Sequence, residues 1–163
     1  HYIYMARHFR MYQPRRLLFS DGQQTLGVAL PWAMAAVLVR PGTPVVSVSG
    51  DGGFLFSGQE LETATRLGMS FTHVIMRDNA YNMVAFQEEL KYGRASGVQL
   101  GDYDITHYAA AFGAKGIRLG SLAEFEQAFT RSLSEPGVTI IDVLVDYTRN
   151  TELFAELHDD VLE

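Results

Sequence analysis

The stretch SGDGGFLFSGQELETATRLGMSFTHVIMRD, residues 49–78, constrains the fold more than any other part of the chain. It continues a β-branched run, PVVSVS (44–49), and turns through Gly50, Asp51, Gly52 and Gly53. An amphipathic helical pattern follows, and then a second apolar run, FTHVIMRD (71–78). Strand, helix and strand in this order form a βαβ unit, whose two strands run parallel. Ligands of parallel sheets sit in the crevice beyond the carboxyl ends of the strands. Each run delivers an acidic residue to that edge: Asp51 after the first, Asp78 after the second.

The rest of the chain extends the same alternation. HYIYMARHFRMY (1–12) reads as a helix, so residues 1–13 are expected to end a linker or a preceding helix. A short strand is expected over 16–20, and TLGVALPWAMAAVLVR (25–40), apolar nearly all round, as a buried helix. SGQELETATRLG (57–68) predicts a helix that stops at Gly68, and NMVAFQEELKYG (82–93) another. Residues 94–103 carry no periodicity and read as a loop. DITHYAAAFGA (104–114) is a helix with Asp104 as its N-cap, and KGIRLG (115–120) a strand. SLAEFEQAFTRSLSE (121–135) starts with Ser121 and Glu124 at capping-box spacing. GVTIIDVLVD (137–146) is the last strand, and the acidic tail after it is expected to cap the domain or pack on a neighbour. No internal repeat or linker interrupts this pattern. The expectation is one α/β domain over 1–163, doubly wound, its mainly parallel sheet of about five to six strands flanked by helices.

With 163 residues, 47% of them hydrophobic and 20% charged, the chain has the makeup of an ordinary globular domain able to bury a core. A formal charge of −6 argues against nucleic acid or an anionic membrane as partner, since both need clustered Lys and Arg. There is no cysteine, which excludes disulfides, thiolate nucleophiles and Cys-ligated zinc, and is compatible with a cytoplasmic location. The longest apolar stretch, 26–39, contains Pro31 and is too short for a membrane span. No signal-peptide pattern opens the chain, and its start at His1 within a helical pattern suggests a piece of a longer protein.

Glycines without Cβ atoms let a backbone approach a phosphate and aim N–H groups at it. An aspartate in such a turn helps a phosphate only through a cation, and carboxylate, carbonyl and phosphate oxygens together suit Mg²⁺. Two familiar phosphate loops fail here. A dinucleotide fingerprint wants a third glycine where Leu55 stands, and a P-loop wants Gly-Lys-Ser/Thr where Phe54, Leu55 and Phe56 stand. On spacing alone, Gly50 to Gly53 are equally an ordinary strand-to-helix turn.

Three segments, GQQTLGVALPWA, VSVSGDGGFLFSGQELETATRLG and DNAYNMVAFQEELKYGRASGV, resemble in order the thiamine-diphosphate enzymes, and among them the acetolactate synthase family. The similarity runs from Arg16 to the end of the chain. It implies the pyrophosphate-binding domain of an enzyme that condenses two pyruvates to 2-acetolactate and CO₂. It further implies Asp51 and Asp78 as Mg²⁺ ligands, with the backbone carbonyl of Ala80 as third. Gly50, Gly52 and Gly53 would hold the diphosphate, and Asn82 and Met83 would close over it. Leu26 would wedge beneath the bent cofactor, whose amino group would meet the carbonyl of Gln24. The family carries Asn-Asn where Arg77-Asp78 stand, a departure similar to the catabolic branch. Gln87 stands where the FAD-containing synthases carry Trp, which implies an FAD-independent enzyme making acetolactate for acetoin. Met83 and Gln87 would then face the substrate. The family's activating glutamate lies in the pyrimidine-binding domain of a second subunit, so no catalytic residue is expected in this chain, and it alone is expected to be inactive. The implied full-length assembly is a homodimer or homotetramer. Within the class, another 2-keto acid decarboxylase or a pyruvate oxidase is the alternative, which Gln87 disfavours. From another class, a non-catalytic α/β binding or assembly module would use the glycines only to turn.

Other chemistry-bearing residues read as structural. His1, His8, His73, His107 and His158 form no metal-ligand spacing, and Ser47, Ser49 and Ser57 lack a triad order. Glu60 and Glu62 suit the polar face of their helix, although Glu60 lies near the glycine turn.

Overall fold

In the computed structural model residues 1–20 and 22–148 are described. Four parallel strands form one sheet: β1 (Val46–Gly50), β2 (Phe71–Arg77), β3 (Lys115–Leu119) and β4 (Val138–Leu144), in the order β1-β2-β4-β3. The expected strand over 16–20 is absent from that sheet, so among the described residues the count is four rather than five or six. The run contains no β-branched residue, and its Leu17 and Leu18 stand partly exposed instead of entering a ladder. Phe19 stacks on Tyr2 of α1 (Tyr2–His8), with ring centroids 4.5 Å apart.

Helices cover both faces of the sheet, as a doubly wound architecture requires. One face packs α2 (Ala29–Val39), α4 (Leu61–Arg66) and α6 (Ile105–Ala111) onto β2 and β4. Its core joins Leu30, Ala33 and Met34 with Leu61, Ala64, Ile105 and Ala109 over Phe71, Ile75, Val138 and Ile140. Pro31 lies in the first turn of α2, where a missing N–H costs no hydrogen bond. The expected burial of α2 holds only for its first half, because Leu38 and Val39 project into solvent. On the other face lies α7 (Leu122–Ser132), tied down where Thr72 Oγ1 donates to Ser132 Oγ at 2.8 Å. Gly116 lets α6 ride directly on β3: a Cβ there would stand 2.5 Å from the Thr106 Cα.

The glycine turn is itself helical. α3 (Asp51–Leu55) begins at Asp51, and a 3₁₀ turn (Gly58–Glu60) separates it from α4. The helix expected over 57–68 is therefore the second half of a broken one. Gly58 sits where the Phe54 and Tyr108 rings would come within 3.2 Å of any Cβ. Gly68, at φ +64°, stops α4 as its spacing predicts. Asp104 caps α6, its Oδ1 accepting from the N–H groups of Thr106 and His107. Ser121 Oγ accepts from Glu124 N–H at 3.3 Å, but the Glu124 carboxylate turns to Gly120 N–H, so the capping box is half closed. α5 (Asn82–Tyr92) buries none of its residues and ends at Gly93 in the left-handed conformation. Residues 149–163, including His158 and nearly all of the acidic tail, lie outside the described residues.

Candidate functional site

Register brings the two acidic turns together. β1 pairs with β2 from Val46 opposite Thr72 to Gly50 opposite Met76. Asp51 thus leaves β1 one residue past that last pair, and Asp78 leaves β2 two residues past it. Both lie at the carboxyl edge of neighbouring strands and line one cleft of about 170 Å³. That is below the roughly 300–1,000 Å³ of a complete small-molecule pocket.

Asp51, 2% exposed, is the first residue of α3, where a carboxylate meets the positive end of the helix dipole. Its Oδ1 accepts from Gly52 N–H at 2.9 Å, and its Oδ2 from Asn79 N–H at 2.7 Å. Each oxygen keeps a further lone pair. Burial, and then the Asp51 carboxylate, push the Asp78 carboxyl above its ordinary pKa, against hydrogen bonds from Asn82 and from the Ala80 backbone. Among the described residues no lysine or arginine lines the cleft. The preceding Arg77 points elsewhere, its Nε donating to Asp142 Oδ1 at 2.8 Å. Among those residues the cationic group in the cleft is the His1 ammonium, which interacts with the Asp78 charge. The two carboxylates, with the Ala80 segment beside them, are oxygen donors of the kind a hard divalent ion takes. Among the described residues no group of three or more His, Cys, Asp and Glu could hold a metal, so a cation here would draw on the backbone as well.

Gly52 makes room for a ring: a Cβ there would lie 2.6 Å from Tyr81 Cε1. At Gly53 a Cβ would make ordinary contacts, 3.7 Å from Ser49 Cβ and 4.0 Å from Leu26 Cδ2. Leu26, 47% exposed, therefore stands at the mouth directly beside the glycine turn. Gly50, Ala80, Asn82 and Met83 also line the cleft. Gln24 and Gln87 do not. Gln24 is exposed and left-handed at φ +49°, and Gln87 is exposed one helical turn beyond Met83.

Beneath the turn lies His73, fully buried between Ser47 Oγ at 2.7 Å and Ser49 Oγ at 3.0 Å. Burial lowers its pKa to about 3, so it is a neutral, hydrogen-bonded core residue, in line with its structural reading. Glu60 lies outside the cleft lining. Sequence reasoning overlooked Asn79 and Tyr81. An available signal for Asn79 was its place just past a strand end, where Asn tolerates the left-handed conformation it adopts at φ +59°.

The family described as thiamine pyrophosphate enzyme, C-terminal TPP binding domain, matches residues 1–143. The chain is 51% identical over 156 residues to "Acetolactate synthase" of Bacillus subtilis (strain 168), covering 96% of this chain and 27% of that protein. It is 48% identical over 157 residues to "Acetolactate synthase, catabolic" of Raoultella terrigena, covering 96% of this chain and 28% of that protein. A 32% identity over 143 residues relates it to "Putative thiamine pyrophosphate-containing protein YdaP" of Bacillus subtilis (strain 168), covering 88% and 25%. The chain thus spans little more than a quarter of the length of these relatives.

Proposed function

Since the chain belongs to the thiamine pyrophosphate enzymes as a C-terminal TPP-binding domain, we propose that it is the Mg²⁺- and diphosphate-binding part of a longer, FAD-independent acetolactate synthase. That enzyme would condense two pyruvates to 2-acetolactate and CO₂, for acetoin, in the cytoplasm. The observation that carries this reading is the Asp51–Asp78 pair facing one cleft beside Gly52 and Gly53.

The residues fit the group they would hold. Asp51, Asp78 and the Ala80 carbonyl would hold Mg²⁺, which would offset both the burial and, second to it, the Asp51 repulsion that raise the Asp78 pKa. The backbone N–H of Gly53 would take the diphosphate, joined by that of Gly52 if it leaves Asp51 Oδ1, with Gly50 beneath and Asn82 and Met83 over it. Leu26 would support the bend between the rings, and the Gln24 carbonyl would accept from the amino group. Thiamine diphosphate, when bound, supplies the electron sink for decarboxylating a 2-keto acid. Met83 would border the substrate, with Gln87 on the same helix face offering a polar edge to a small acceptor. The partly formed cleft supports completion by the pyrimidine-binding domain of a second subunit, which would bring the activating glutamate within a homodimer or homotetramer. Similarity to a relative whose name reads "catabolic" supports the branch.

The test is calorimetric titration with thiamine diphosphate in Mg²⁺ and again in EDTA, on this chain and on the full-length enzyme. Mg²⁺-dependent binding that disappears in Asp51→Ala supports the reading. Absence of binding by the full-length enzyme would sink it.

A further inference from the structure

Arg77 ends β2 immediately before Asp78, yet its side chain is only 7% exposed and serves the other side of the strand. Its Nε donates to Asp142 Oδ1 at 2.8 Å, and the second oxygen of the fully buried Asp142 takes Arg118 Nε at 2.8 Å. Three neighbouring strands are thereby joined at one carboxylate, since Asp142 lies on β4 opposite Ile75 of β2 and Arg118 of β3. A second branch of Arg77, Nη1, donates to Asn79 Oδ1 at 3.2 Å. The further contact of Nη1, to Asp102 at 3.5 Å, reaches a carboxylate 72% exposed and adds little.

Asn79 is the hinge of the arrangement. It holds φ +59°, the left-handed conformation that asparagine adopts more readily than other residues with a Cβ. Here its side chain is held by Arg77, and its carbonyl accepts from Leu100 N–H at 2.8 Å. Its own N–H points at Asp51 Oδ2, 2.7 Å away. We propose that Arg77 is a positioning residue, anchored on Asp142, that acts through Asn79 to aim the Asp51 carboxylate at a divalent cation. This deepens the proposed function and rests on it. It also gives the residue preceding Asp78 a task that asparagine there could not perform, because only a forked guanidinium reaches both Asp142 and Asn79.

The experiment uses the full-length enzyme and two conservative variants. Arg77→Lys keeps a cation beside Asp142 and removes the branch that reaches Asn79. Asn79→Gly keeps the left-handed backbone and its N–H and removes the side-chain acceptor. Each is expected to raise the Mg²⁺ Kd by about ten-fold, measured calorimetrically at saturating thiamine diphosphate. The double variant is expected to be no weaker than the weaker single, because both break one path. An unchanged Mg²⁺ Kd in either soluble variant, even with a lower melting temperature, reduces Arg77 to a structural role and overturns the proposal, as do fully additive losses. Should Arg77→Lys fail to fold, Asn79→Gly decides alone. A wild-type enzyme that binds no thiamine diphosphate with Mg²⁺ overturns this inference and the functional reading together, which separates that outcome from a variant-only result.

Discussion

At Gly52 the absence of a single methyl group decides whether the turn can close. The Tyr81 ring occupies the place of a Cβ, 2.6 Å from it, so Gly52→Ala must push the ring or the backbone aside. Overpacking of this kind costs about 1–3 kcal/mol. Chemical denaturation should show that loss, and Gly52→Ala with Tyr81→Ala should recover much of it. Asp78 works in the opposite sense. Its pKa is raised in the folded state, so the protonated carboxyl contributes stability at low pH that is lost as pH rises through the folded pKa. In the metal-free chain Asp78→Asn should therefore raise the melting temperature at pH 7 and flatten its dependence on pH above the ordinary aspartate range. Asp78→Ala, which removes the side-chain oxygens altogether, should abolish Mg²⁺-dependent binding, separating stability from function at one position.

Among the elements, those with local chemistry at their ends were legible. Asp104 and Gly68 act where their spacing places them, because a cap is decided within a few residues. Asp104→Ala should cost about 1 kcal/mol, read as a lower urea midpoint with an unchanged slope. Elements that depend on a distant partner were not legible. Residues 16–20 have strand length, yet no ladder receives them. The segment expected as a helix over 57–68 opens with a 3₁₀ turn at Gly58, where the Phe54 and Tyr108 rings leave little room for a Cβ, and Tyr108 comes from 50 positions further along the chain. In the site, Asp51 and Asp78 were readable from where their strands end. The link from Arg77 to Asp142 was not, since only strand register sets those two charges side by side.

For the molecule as a whole, a ligand taken up by the cleft would stabilise the folded state by mass action. Thiamine diphosphate with Mg²⁺ at about 100 times its Kd should add about 2.7 kcal/mol. For a chain of this size, that is a rise of roughly 5–10 °C in the melting temperature, and EDTA should reverse it. Measured against the chain without Mg²⁺, a null result at that saturation would show that the ligand does not distinguish folded from unfolded chain.

One feature of α5 reaches beyond any single measurement. Met83 and Gln87 stand on a helix that contributes no fully buried side chain. Exposed helical positions tolerate exchange within about 0.5 kcal/mol, so this face can drift while the folded state persists. The glycine turn is locked to the sheet, whereas the α5 surface is free to vary. If that surface meets an acceptor substrate, as the proposed function has it, the scaffold is evolvable: new acceptor preferences could be sampled by point mutation without first acquiring a compensating change in the core.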